Sequence, residues 1–435
     1  MVLVAVVLGA VVVLGGLLFW QRSGADDGAS VAAAEDVSPS DTTDSGSGSA
    51  ENADPGGAAP DESPSESDPP ADDEAGGVAA DVDHAVCPDD VPVEVCDAAA
   101  FVERFRGQPF KVFPTVEFAD DAEFEERLLS DFDEDVEDLE IAGDVFRSLG
   151  LIPEDADLVD ALRKSLEIGV VGFYRTDTKE LLIRGTDLDL YAQDVIVHEL
   201  VHAHDDQWLD LDRPELDDVD DESDFGFTAM VEGNAVRVED AWKAELTAAE
   251  QAELSQLELS FLDPADLDIL LAIPTIILQL QFSPYTDGPV LVESVAAEGG
   301  GGASGEAAVN AAITEPPRWS EEVLHPELFP DGDPPSEVPA PQARGELTDD
   351  GVIGELVFDI WFGDSVGDGW GGDRYVSWSE SDAVCTAIHL VADSDKDFSE
   401  FMASADSWAA SDPTRRRTES VDLAGQPGLL IEGCV

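Results

Sequence analysis

The chain is poor in positive charge. Against 98 Asp and Glu it carries 21 Lys and Arg, a formal net charge of −77 over 435 residues. That scarcity excludes nucleic acid as a partner, because a phosphate backbone needs a basic patch and this surface repels it. It also argues against an anionic membrane surface as the main partner. Cysteine is scarce too: Cys87, Cys96, Cys385 and Cys434 are the four, at spacings that suit no zinc cluster. Three disulfide pairings are open, and local proximity favours Cys87 with Cys96 and Cys385 with Cys434. Such bridges fit an oxidising, extracytoplasmic setting. The glycine run at 299–302 has no lysine after it, so no nucleotide phosphate cradle is expected. Internal repeats of solenoid length are missing. Apolar residues are not in short supply: at 43% they are near the norm for a folded protein, so the chain is not simply an acidic coil. The charge reads first as hydration in a saline exterior, where salt screens self-repulsion.

Residues 1–20 contain no charged side chain. As a helix they would measure about 30 Å, enough to cross a bilayer, so an uncleaved transmembrane anchor is expected there. Residues 21–85, rich in Ser, Asp, Glu, Gly, Ala and Pro, read as a disordered acidic tether. Globular composition follows. The pattern predicts a helix over 98–106, a strand over 110–118 interrupted by Pro114, one or two amphipathic helices over 122–149 and a helix over 157–168. Two short apolar runs, 170–174 and 180–185, flank a polar turn and predict a hairpin. An apolar helix over 267–280 reads as buried core, with Tyr285 in a turn after it. The last ninety residues predict a smaller α/β lobe: a helix over 351–362, strands at 374–378 and 383–392, a helix over 397–408 and a hairpin over 417–434. His389 is expected to be a packed or surface residue of a strand, and 369–374 a tight turn.

The chemistry lies just after the first hairpin. Residues 194–208 read DVIVHELVHAHDDQW and contain His198-Glu199-Leu200-Val201-His202. On a helix, four residues bring the second imidazole almost above the first, so both can meet one tetrahedral Zn²⁺. Glu199 then sits beside the metal, placed to take a proton from water and pass it to a leaving amine. His204 falls off that face, at the surface or in a supporting contact; Asp205 lies near it, either orienting an imidazole or solvated. A zinc hydrolase needs a third protein ligand. Residues 227–242, FTAMVEGNAVRVEDAW, predict a helix returning after an acidic loop. Glu232 is the candidate, with Gly233 beside it to admit a close backbone. Glu239 and Asp240 compete for that role or support a histidine.

These residues resemble the HExxH-plus-Glu zinc metallopeptidases, the gluzincin group of thermolysin and the aminopeptidases. In that group the glutamate ligand sits on the helix after the HExxH helix, often in a Glu-Gly-x-Ala context, which Glu232-Gly233-Asn234-Ala235 matches. More narrowly, the chain is similar to uncharacterised envelope-associated bacterial neutral zinc metallopeptidases. The shared runs include Val171-Gly172-Phe173-Tyr174, the HExxH motif, Phe282-Ser283-Pro284-Tyr285, Ser320-Glu321-Glu322-Val323-Leu324-His325-Pro326 and Gly369-Trp370-Gly371-Gly372-Asp373-Arg374-Tyr375. The resemblance implies an edge hairpin beside the active site, with Leu181-Leu182-Ile183 pairing with substrate backbone; the residues themselves fit equally a buried core strand with no substrate role. Tyr285 and His325 are candidate donors to the oxyanion.

The expected fold is therefore α+β: a helix-rich, zincin-like catalytic domain over 86–345 with an edge hairpin before the HExxH helix, and a C-terminal α/β lobe over 346–435. The expected activity is hydrolysis of a peptide or protein substrate at the cell surface, with Zn²⁺ on His198, His202 and Glu232 and with Glu199 as base. The alternative is a catalytically silent, metal-stabilised envelope domain that binds a protein or wall partner.

Overall fold

The computed structural model describes residues 3–6 and 85–435, except 131, 214–215, 217–220, 262–263, 331, 333 and 382. The expected tether and most of the expected anchor lie outside the described residues. Within the anchor segment, Leu3–Val6 form strand β1 rather than helix. Among the described residues no single helix is long and apolar enough to cross a membrane.

The fold is mixed α and β, built around two sheets. After α1 (Val93–Arg106) come β2 (Val116–Ala119), α2 (Asp121–Leu128), α3 (Val136–Leu149) and α4 (Leu158–Gly169). The hairpin β3 (Gly172–Arg175) and β4 (Leu181–Arg184) then leads into the long helix α5 (Leu190–Leu209). The first sheet runs β1-β3-β4-β2. Its side chains alternate: Phe173 and Leu182 pack toward α2 and α4, while Tyr174, Leu181 and Ile183 pack toward α5.

That strand order corrects one expectation. Leu181–Arg184 is not an edge, because Val116–Ala119 pair with it in parallel, Val116 opposite Leu181 and Ala119 opposite Arg184. β3 is covered as well, by antiparallel β1. The backbone groups of 181–183 are thus already hydrogen-bonded on both sides, which closes them to strand addition. The strand expected over 110–118 is confined to its end and begins after Pro114, a residue that cannot donate to a ladder.

Helix α6 (Asp221–Glu245) crosses α5, followed by α7 (Ala248–Phe261), α8 (Pro264–Leu270) and α9 (Thr275–Thr286). The apolar helix expected over 267–280 is broken: Pro274 caps α9, and the chain bends by 104° between the two pieces. Tyr285 therefore lies in the last turn of α9, not in a turn beyond it. Helices α10 (Gly288–Glu298) and α11 (Gly302–Thr314) are joined by the glycine run, and α12 (Ser320–Leu324) follows.

The second sheet runs β5-β6-β7-β9-β8, all antiparallel, from β5 (Glu346–Gly351), β6 (Trp370–Glu380), β7 (Ala383–Ala392), β8 (Arg416–Leu423) and β9 (Gln426–Cys434). Helices α13 (Glu355–Phe362), α14 (Asp364–Gly367) and α15 (Asp395–Ser411) accompany it. Cys385 and Cys434 face each other in the β7–β9 register and are bridged, as are Cys87 and Cys96. Residues 370–374 are strand, not turn. Asp373 is buried there, accepting hydrogen bonds from the Ile353 and Gly354 amides and from Trp370 Nε1, and so anchors the entry to α13. His389 lies on β7 with Nδ1 2.7 Å from the Pro339 carbonyl. The core of this lobe includes Val145 and Leu149 of α3, so α3 belongs to both halves of the molecule.

Candidate metal centre

Helix α5 starts where the Asp189 carboxylate accepts the Ala192 amide, a side-chain N-cap. It is buried on every face from Val195 to Asp206, which is the signature of a central helix rather than a surface one. His198, Glu199 and His202 are therefore almost fully enclosed, at 0%, 0% and 1% exposure. Gly172 of β3 keeps the sheet close to this turn: a Cβ there would meet Val195 at 2.5 Å and come within 3.3 Å of Glu199 Cγ.

Helix α6 brings Glu232 against the pair. Its Oε2 lies 3.0 Å from His198 Nε2 and 3.4 Å from His202 Nε2. The two imidazole rings stand 4.8 Å apart. Close passage of α6 depends on Gly233, where a Cβ would strike the Gly288 backbone at 2.3 Å. The close backbone expected at Gly233 is thus the start of α10.

Each titrating group responds to this enclosure. Burial lowers the His198 pKa, but bonds to Glu232 and Glu239 outweigh it and push it up to about 10. Burial favours the neutral form of Glu232, yet the neighbouring histidines hold its pKa down to about 2. For His202 burial wins, and its pKa is lowered. Two nitrogens and an oxygen thus converge in a dry place, and the ring nitrogens of His202 have no hydrogen-bond partner there. This donor set, two imidazoles and one carboxylate, fits a metal ion.

A further layer steadies the donors. His198 Nδ1 lies 2.9 Å from Glu239 Oε2, and Lys243 Nζ lies 2.5 Å from Glu239 Oε1. Of the two acidic residues weighed on this helix, Glu239 is the one that supports a histidine. Asp240 is 63% exposed and meets Lys243. Asp194, one turn before His198, is buried beside them, and its pKa is raised by burial and by the Glu239 charge. Sequence reasoning passed over Asp194, although its i to i+4 relation to His198 was visible. Asp205 orients no metal-facing imidazole and is not solvated. It accepts from Arg106 and Asn234 and meets His204 Nδ1, making a buried network behind α5. His204 is likewise buried, its Nε2 3.1 Å from the Gln108 carbonyl.

Tyr285 is brought to the site. Its ring stacks 6.2 Å from that of His198, its hydroxyl bonds Glu232, and burial raises its pKa well above the usual phenol value, so it stays a proton donor. His325 is not gathered there. Its Nε2 lies 2.8 Å from Glu355 Oε1, in a different group. A cavity of about 460 Å³ opens beside Glu232 and Tyr285 and runs to the C-terminal lobe, where Ile353, Leu356 and Tyr375 line it.

The chain matches no family model, no curated protein and no solved structure. What the site can do therefore rests on its own donors. Buried His198, His202 and Glu232 can hold a metal ion, Glu199 stands in the same helical turn, and a largely apolar cleft leads away from them.

Proposed function

We propose that the chain is a zinc-dependent peptidase of the zincin type, acting outside the cytoplasm. One observation carries this: His198 Nε2, His202 Nε2 and Glu232 Oε2 face a common point, with the Glu199 carboxylate on the same buried turn. Zn²⁺ bound by these three residues supplies Lewis acidity for attack of water on an amide. The chain's own side chains do the rest. Glu199 accepts the proton of the attacking water and hands it to the leaving amine. Tyr285, kept protonated by burial, donates a hydrogen bond to the oxygen that gains charge. Glu239 holds His198 through Nδ1 and keeps Nε2 aimed at the metal position. The cleft between α9 and the C-terminal lobe takes the substrate. Both disulfides and the hydrated acidic surface suit a saline exterior.

The test is digestion of a peptide library by the zinc-loaded chain and by Glu199→Gln. The wild type should cleave, and the variant should keep zinc but lose at least about 100-fold in rate. If neither cleaves while both bind zinc, the site is a silent structural metal centre. If the wild type binds no zinc, the proposal fails.

A further inference from the structure

The group that takes up His325 contains more than an ion pair. Glu355, the first residue of α13, is fully buried. Its Oε1 meets His325 Nε2, but its Oε2 is buried with no hydrogen-bond partner. Asp368, just after α14, completes a set in which one ligand atom from each of His325, Glu355 and Asp368 lies within 4.8 Å of the others. Glu321 and Asp393 add their negative fields to the same place. Among the described residues no lysine or arginine pairs with Glu321, Glu355, Asp368 or Asp393. An enclosed carboxylate oxygen without a donor is costly, and a cation is the species this place calls for.

We infer that His325, Glu355 and Asp368 form a second metal site, which binds a divalent transition-metal ion. An imidazole nitrogen among carboxylates suits Zn²⁺ or Mn²⁺ better than the all-oxygen shell that Ca²⁺ and Mg²⁺ take. The ion replaces the proton shared by His325 and Glu355 and gives Glu355 Oε2 the partner it lacks. Its role is mechanical. His325 closes α12, which packs on α6 of the first metal group, whereas Glu355 and Asp368 belong to the C-terminal lobe. The ion thus pins the two halves together one residue from Leu356, a wall of the cleft.

The test uses the tag-free full chain, stripped with chelator, dialysed separately against Zn²⁺ and Mn²⁺, and assayed for metal by mass spectrometry. Wild type should hold two ions per chain. His198→Ala/His202→Ala should hold one, and adding Glu355→Gln/Asp368→Asn should leave none. Asp368 is exposed, so Asp368→Asn alone should keep the fold while weakening the second ion by about tenfold or more. The inference is overturned if a folded His198→Ala/His202→Ala chain holds no ion, or if Asp368→Asn and Glu355→Gln leave the affinity of both ions unchanged. If instead one ion is lost with Glu355→Gln/Asp368→Asn and none with His198→Ala/His202→Ala, the second site stands and the first does not.

Discussion

Replacing Glu239 by glutamine asks how much of the metal affinity comes from a residue that never touches the metal. Glu239 Oε2 is 2.9 Å from His198 Nδ1, and its side chain is 1% exposed, so solvent does not screen the contact. Gln keeps an oxygen that can accept from Nδ1 but removes the charge that makes the imidazole a better donor. Supporting partners of metal-bound histidines typically contribute 10- to 100-fold in affinity, or about 1.4–2.7 kcal/mol. Because the acceptor survives, Glu239→Gln belongs near the tenfold end. Glu239→Ala loses acceptor and charge together, leaves Lys243 without its buried partner, and belongs near 100-fold or beyond. Asp240→Asn is the control: that carboxylate is 63% exposed, and an exposed pair contributes about 0–1 kcal/mol. Competition of each folded variant with a chromophoric chelator for Zn²⁺ gives the affinities. Equal affinity of Glu239→Gln and wild type, or an equal loss in Asp240→Asn, refutes the orienting role.

Gly233→Ala should destabilise the fold by roughly 1–3 kcal/mol or more, because its Cβ would overlap backbone of Gly288 at 2.3 Å, which no side-chain movement relieves; urea melts check this. In the metal-free chain, His198 contributes stability that is complete below its ordinary 6.5 and is lost as pH rises through about 10. Glu232 contributes stability that is complete above its ordinary 4.5 and is lost as pH falls through about 2. Melting temperature without metal should therefore fall between pH 6.5 and 10, and His198→Gln should flatten that slope; an unchanged slope rejects the assignment. Since His198 holds a proton at pH 8 without metal, zinc binding should release about one proton from this site, read by calorimetry in buffers of different ionisation enthalpy.

The candidate metal ligands were legible because one helix carries most of them. The spacing of His198 and His202 fixes their relation without knowledge of the rest of the fold, and Glu232 was set against Glu239 and Asp240 by Gly233, which admits the close backbone of Gly288. What depends on distant partners was not legible. Leu181-Leu182-Ile183 reads as a strand from its residues, but nothing local says whether it has one neighbour or two, and the short run at 116–119 supplies the second. His325 drew notice as a donor in a segment with few others. Its true neighbour is thirty positions away at the head of α13, and no periodicity links residues from separate segments. Pro274 was visible as an interruption, but whether it bends a helix or divides it depends on what the two pieces pack against.

The scarcity of cations takes on a meaning once their positions are known. Several of the few are spent on buried or half-buried carboxylates: Arg106 on Asp205 and Glu306, Lys243 on Glu239, Lys179 on Asp206, Arg237 on Glu306. Each such carboxylate belongs to packing or to support of the site. At two places the chain brings carboxylates and histidine together and sends no lysine or arginine among the described residues: Glu232 with His198 and His202, and Glu355 and Asp368 with His325. An unpaired buried charge is unstable in any fold. At both, the group that faces the carboxylates is imidazole, which is a ligand as well as a cation. A cation bound at either place would add the compensation that lysine and arginine supply to carboxylates elsewhere in the chain.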